Sequence, residues 1–272
     1  MRFMIFRKAD ADTEAGVLPS TELIEAMTAY NESLSRAGVL LDGHGLKPTS
    51  EGVRYHHADG ETTATDGPFA ETKEIVAGFT VLQARSLDEA VAWARRWPVE
   101  DAEGGVELEV RQVMEPIPSF GDPEPDGRRQ FISILTYDEA AEDNGPPSEE
   151  EMEAMGRLIA DAADAGVLLE TGGLYPSSAG ARITFRDGVP TVTDGPFTEA
   201  KEVIAGYAVY QAESLEALRP WAERFGQVAG RSTSEIRPVI GLEDFGEAFT
   251  PELQAREEAM RTENAVRAQA GA

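Results

Sequence analysis

The sequence predicts an α+β fold: two ferredoxin-like modules in one chain, related by a pseudo-two-fold and packed sheet against sheet. Three observations predict it. The chain matches itself when slid by 128 residues: from residue 38 to 79, against 166 to 207, 23 of 42 positions are identical without a gap. Each copy carries signals in the order β-α-β, hairpin, β-α-β. A sheet with helices on one face also needs cover on the other, and the second copy offers it.

The elements follow in order. Residues 2–6 read as a first strand, and Phe3-Met4-Ile5-Phe6 pairs in the repeat with Phe131-Ile132-Ser133-Ile134. Residues 20–37 predict a helix, because Leu23, Met27, Tyr30 and Leu34 recur at helical spacing and Gly38 stands at the C-terminal cap. Ser148-Glu149-Glu150-Glu151 gives the matching helix a capping box. Residues 39–41 open the next strand. Residues 53–57 and 61–65 flank Asp59-Gly60 as a hairpin, since Asp-Gly supplies positive φ angles; the repeat has Asp187-Gly188. A strand over residues 75–83, a helix from Ser86 to about Arg96 and a strand over 106–113 complete the copy. Trp93 and Trp97, matched by Trp221 and Phe225, have the spacing of a helix face packed on a sheet.

The predicted boundaries are residues 1–114 for the first module, 115–128 for a linker, 129–241 for the second module and 242–272 for a C-terminal helical tail. Pro116, Pro118, Pro123 and Pro125 make the linker a semi-rigid spacer. Phe245, Phe249 and Leu253 lie four apart, so the tail reads as a helix across the body, frayed after about Arg261.

Composition excludes several function classes. There is no cysteine, hence no disulfide, thiolate metal site or cysteine nucleophile. Fifty acidic against 24 basic residues give a net charge of −26, which repels a phosphate backbone, so no nucleic-acid partner is expected. No apolar run approaches the ~20 residues of a membrane span. The apolar stretch within Met1 to Phe6, before Arg7-Lys8, is too short for a signal-peptide core, so the expected location is the cytoplasm.

The most distinctive segment is Asp66-Gly67-Pro68-Phe69-Ala70-Glu71-Thr72-Lys73-Glu74, repeated as Asp194-Gly195-Pro196-Phe197-Thr198-Glu199-Ala200-Lys201-Glu202. With the upstream Gly-Val-Leu-Leu and the downstream Glu-Val-Arg-Gln-Val it resembles the YCII-related family, in the branch named for the DGPF signature. The resemblance implies a dimeric α/β-barrel, formed here within one chain. It also implies kinship with small enzymes such as muconolactone isomerase. Members of the family are commonly encoded beside extracytoplasmic-function sigma factors, which implies a link to such a factor as an alternative, non-catalytic role.

The candidate catalytic residues are His44, Asp66, Glu71 and Lys73, with Asp194, Glu199 and Lys201 in the second copy. A carboxylate near the signature would serve as general base and a lysine would hold an anionic group of a small organic ligand. The same segment also reads as a turn in which Gly67 and Pro68 fix the backbone and Phe69 plugs the core. His44 lies between Gly43 and Gly45, where a ligand could approach closely, and the second copy has Gly172 in its place. His56 and His57 are adjacent on a strand and point to opposite faces, which suits no shared metal. No cofactor and no metal are expected, and the chain is expected to be a monomeric pseudo-dimer or a homodimer.

Overall fold

The computed structural model describes residues 1–69, 74–102, 105–114, 127–138, 148–197 and 202–270, with side chains to Glu263. The first copy contributes β1 (Arg2–Lys8), α1 (Ala11–Glu14), α2 (Thr21–Arg36), β2 (Leu40–Gly45), β3 (Val53–Ala58), β4 (Glu61–Asp66), β5 (Val76–Gln83), α3 (Leu87–Ala94), α4 (Val99–Ala102) and β6 (Glu107–Gln112). The second contributes β7 (Arg129–Asp138), α5 (Glu149–Asp164), β8 (Leu168–Gly173), β9 (Ala181–Arg186), β10 (Val189–Asp194), β11 (Glu202–Ala212), α6 (Leu215–Ala229) and β12 (Ser232–Pro238); α7 (Pro251–Ala270) follows. The proline-rich linker lies largely outside the described residues.

Local chemistry sets the ends of these elements. The hydroxyls of Ser20, Ser86, Ser148 and Ser214 each accept from a backbone N–H of the first turn they precede. Gly38 and Gly166 end α2 and α5 at positive φ. Both hairpins turn on left-handed pairs, Asp59-Gly60 and Asp187-Gly188, as Asp-Gly permits.

The strands form two antiparallel six-stranded sheets, in the orders β10-β9-β6-β1-β5-β2 and β4-β3-β12-β7-β11-β8. One detail differs from two self-contained modules: the hairpins are exchanged. β3 pairs with β12 of the second copy, and β9 with β6 of the first. Without its guest hairpin each last strand would present an unpaired backbone edge. The crossing points are visible, because Leu46 at the end of β2 bridges Val239, and Leu174 bridges Val113.

Alternation along the strands divides the core. Met4 and Phe6 point between the sheets and meet Phe79, Val81, Ile132, Ile134, Tyr207 and Val209. Phe3 and Ile5 point outward under α2 and α3, where Ile183 and Phe185 of the exchanged hairpin join them. Each such side chain contributes about 1.5–3 kcal/mol on burial. The longer helices α2, α3, α5 and α6 pack on the outer faces of the resulting barrel.

The tail packs on the body as a helix. Phe249 and Leu253 pack on Ile24 of α2, Arg256 holds Glu32 at 2.7 Å, and the helix runs past Arg261 to Ala270. The short helices α1 and α4 were not foreseen, and β2 continues beyond residue 41 to Gly45.

Candidate functional site

The signature builds a corner. β4 ends at Asp66 and β10 at Asp194, and both carboxylates are exposed. A Cβ on Gly67 would stand 1.8 Å from the carbonyl oxygen of Thr49, and one on Gly195 would stand 1.8 Å from that of Ser177. No side chain fits at that distance, so glycine is required by close approach. Phe69 and Phe197 then turn inward and are buried. The Arg54 guanidinium lies 4.2 Å over Phe69, and that of Arg182 lies 4.4 Å over Phe197.

These two arginines sit on the exchanged hairpins, and each reaches the last strand of the other copy. Arg54 is 2.7 Å from Glu235, and Arg182 is 3.0 Å from Glu109. Two residues along each strand, on the same face, a buried arginine backs the glutamate: Arg111 lies 3.0 Å from Glu109, and Arg237 lies 2.9 Å from Glu235. Arg111 also donates to the carbonyl of Tyr175, and Arg237 to those of Lys47 and Val76. The inner face of the barrel is therefore apolar in its middle and ionic at two pseudo-equivalent mouths. Sequence reasoning missed Glu109 and Arg111. Their recurrence as Glu235 and Arg237, at alternate strand positions in both copies, was the available signal.

The first mouth holds one more cation. Lys8 extends the inward row of Met4 and Phe6, and its ammonium lies 3.0 Å from Glu74 and 3.1 Å from Glu109. Burial alone would raise the Glu109 carboxyl; the charges of Lys8, Arg111 and Arg182, with the Arg182 hydrogen bond, overrule it and hold the pKa down to about 2. Arg182 also contacts Glu107 at 3.3 Å and Glu74 at 3.5 Å. Outside this network opens a cleft of about 370 Å³ lined by Lys8, Asp10, Glu74, Val106, Glu107 and Arg182. Glu74 and Glu107 are a quarter and a third exposed, so solvent and a ligand can reach both.

His44 lies elsewhere. It stands on the edge strand β2, with Nε2 3.0 Å from Asp42 Oδ1 and its ring against Phe79. Burial works against the charge on Asp42, but His44 and the Gly43 N–H outweigh it and hold the carboxyl below its usual range. The carboxylate facing His44 is thus Asp42. Asp42 and His44 are two apart on a strand, so alternation would have found the pair. In the second copy Gly172 leaves that space to Tyr207, whose hydroxyl donates to Glu170 at 2.5 Å. Glu71, Lys73, Glu199 and Lys201 lie outside the described residues. His57 is buried between the hydroxyls of Thr62 (3.0 Å) and Ser234 (2.9 Å), whereas His56 is exposed. Among the described residues no group of three or more His, Asp or Glu is arranged to hold a metal, and no helix is long and apolar enough to cross a membrane.

Fold and mouths together define a duplicated α/β-barrel protein. The profile of the YCII-related domain matches residues 1–115 and again 130–243, so the chain belongs to that family and carries its domain twice. An uncharacterized protein of Rhizobium meliloti is 42% identical over 69 residues, which is 25% of this chain and 56% of that relative. The matched stretch thus spans little more than half the length of that relative. Among solved structures, a candidate monooxygenase from Lactobacillus acidophilus is 10% identical with a TM-score of 0.37, over 88% of this chain and 92% of that one. A DyP-type peroxidase from Mycobacterium smegmatis is 12% identical with a TM-score of 0.39, over 90% and 94%.

Proposed function

We propose that the protein binds a small polar organic molecule in the cleft between β1, β6 and the exchanged β9–β10 hairpin, and acts on it by proton transfer. The observation that carries this reading is the cleft itself, about 370 Å³ with the accessible carboxylates Glu74 and Glu107 held beside Lys8 and Arg182. That volume lies within the range of small-molecule sites. Either carboxylate can serve as general base, with the neighbouring cations fixing its position. Lys8 and Arg182 are already paired, so the lining favours a ligand that presents a donor to Glu74 or Glu107 and an acceptor to Arg182, rather than a simple anion. The test is a thermal-shift and calorimetric screen of metabolites against the wild type, Glu107→Gln and Glu74→Gln. Ligands lost in both variants support the cleft. Ligands indifferent to both, or none at all, would sink it. Glu71→Gln and Lys73→Ala, with Glu199→Gln and Lys201→Ala, test the rest of each signature, and Asp66→Asn and Asp194→Asn its exposed start.

A second reading places the acid–base group on β2, and the 3.0 Å contact between His44 and Asp42 favours it. Loss of turnover in His44→Ala, with Glu107→Gln unaffected, would move the chemistry there. The alternative of a non-catalytic partner of a sigma factor predicts co-purification of the two. The apolar tail residues Phe249, Leu253 and Met260 are buried against the body and offer no docking patch for it.

A further inference from the structure

We propose that His57 is an acid-operated latch, which releases the outer half of the β3–β4 hairpin from β12 and α6 while the β9–β10 hairpin stays closed. Four elements meet at its ring, which is 2% exposed. β3 carries it, the Thr62 hydroxyl of β4 lies 3.0 Å from Nδ1, and the Ser234 hydroxyl of β12 lies 2.9 Å from Nε2. α6 closes the seat from outside, with the Phe225 ring edge-on. A Cβ on Gly226 would stand 2.1 Å from Nδ1, so the helix backbone itself rests on the imidazole. The matching positions around the other hairpin carry Phe185, Pro190, Leu108, Trp97 and Pro98, none of which titrates.

The hydrogen bonds set what a proton does there. A neutral imidazole donates from one nitrogen and accepts at the other, so one hydroxyl receives and the other gives. A protonated ring donates from both, and the hydroxyl that gave must turn its hydrogen away. These two hydroxyls have no other hydrogen bond among the described residues. Nor does a countercharge face the ring. Its own strand brings His56, whose charge opposes a second one. β4 and β12 present the hydroxyls, and α6 presents Phe225 and Gly226. The charges of Arg219, Glu216 and Glu223 on α6, and of Asp66 at the end of β4, act on Tyr55 instead. A buried charge without a partner is costly, so a proton favours the state in which the ring reaches water.

What opens is bounded. The inner half of the hairpin is anchored by Val53 and Tyr55, buried with Leu218, Ala222 and Ile236. Over residues 56–62 the buried anchor is His57 alone. Its release bares residues 232–234 of β12. They border the second mouth, where Thr136 stands at the place of Lys8 and Thr233 joins the lining. Acid thereby opens the second mouth and leaves the cleft of the first as it is.

The test is hydrogen exchange of the full chain between about pH 7.5 and 5.5, read as protection factors. In the open state the ring titrates near its ordinary 6.5; in the closed state burial, then His56, lowers that value. Closure is therefore strongest above pH 6.5 and weakens below it. Protection at residues 55–57 and 232–234 should fall by up to about tenfold per pH unit below 6.5, with residues 107–110 and 181–184 unchanged. His57→Gln keeps a donor and an acceptor without titrating and should remove the fall. His57→Phe copies the other seat and should remove it too, whereas His56→Gln should retain it. An equal fall in both hairpins, a fall that survives in His57→Gln and His57→Phe, or one that vanishes in His56→Gln would overturn the inference.

Discussion

The seats of the two exchanged hairpins are built on the same backbone plan from opposite chemistry. The second copy's hairpin is held by Phe185, buried with Leu108 in an apolar cluster, and Pro190 follows on the return strand. The first copy's hairpin has His57 at the position of Phe185, Thr62 at that of Pro190, and Ser234 of β12 at that of Leu108. There the ring is pinned by two hydroxyls, stacked beside Tyr55 and edge-on to Phe225. A hydrogen-bonded seat and an apolar seat can both hold a strand pair, provided that every buried polar atom has its partner. The polar seat depends on protonation state and the apolar one does not.

Four outcomes would break or sharpen that contrast between copies. The largest effect is expected where the copies agree. Gly67→Ala and Gly195→Ala each drive a Cβ into a carbonyl and should cost about 3 kcal/mol or more, equally, by chemical denaturation. Unequal costs would mean that one corner can relax. Next come the carboxylates of β2 and β8. Tyr207→Phe strips Glu170 of its short hydrogen bond and should cost about 1–3 kcal/mol. His44→Ala should cost less, because Asp42 is more exposed than Glu170 and water can replace the ring.

A third outcome concerns acid. Burial first, and the neighbouring His56 second, lower the pKa of His57 from its ordinary 6.5, so the folded state favours the neutral ring. The unfolded chain then takes up the proton first. The contribution of His57 is complete above pH 6.5 and is lost as the pH falls below that value toward the folded pKa. His57→Phe, which copies the other seat, should flatten that part of the pH–stability curve while leaving two hydroxyls unmet, at a cost of about 1–2 kcal/mol. An unchanged curve would assign the acid sensitivity to other groups. The smallest effect is at the tail: Arg256→Ala removes a partly exposed pair with Glu32 and should cost less than ~1 kcal/mol in urea unfolding. Met152, at the place of the strapped Ile24, is 54% exposed on α5, so no equivalent strap exists in the second copy among the described residues.

Much of this was legible in the sequence because duplication doubles every signal. The capping serines, the Asp-Gly turns and the order of strands appear twice and read alike. The exchange of hairpins was not legible, because pairing partners of an edge strand are chosen by where the chain crosses between sheets, and Leu46 and Leu174 carry no local mark of that. The site was read less well than the fold. Asp66 and Phe69 drew the eye as a motif, yet Asp66 is exposed and Phe69 packs beneath Arg54. Asp42, Glu109 and Arg111 pass in sequence for ordinary strand residues. Their importance comes from long-range neighbours: Glu109 meets Lys8 and Arg182 from strands remote in sequence.

The exchanged hairpins also bear on how such a chain can change. Were the barrel assembled from two identical subunits, any substitution at a mouth would appear in both at once, and a lysine lost from one would be lost from the other. With both halves encoded in tandem, a change at position 8 need not be matched at position 136. The halves stay interlocked, since each completes the other's sheet, so neither can drift so far that it stops serving as the other's edge. The chain is thus free to specialise one end while the opposite end preserves the shared scaffold.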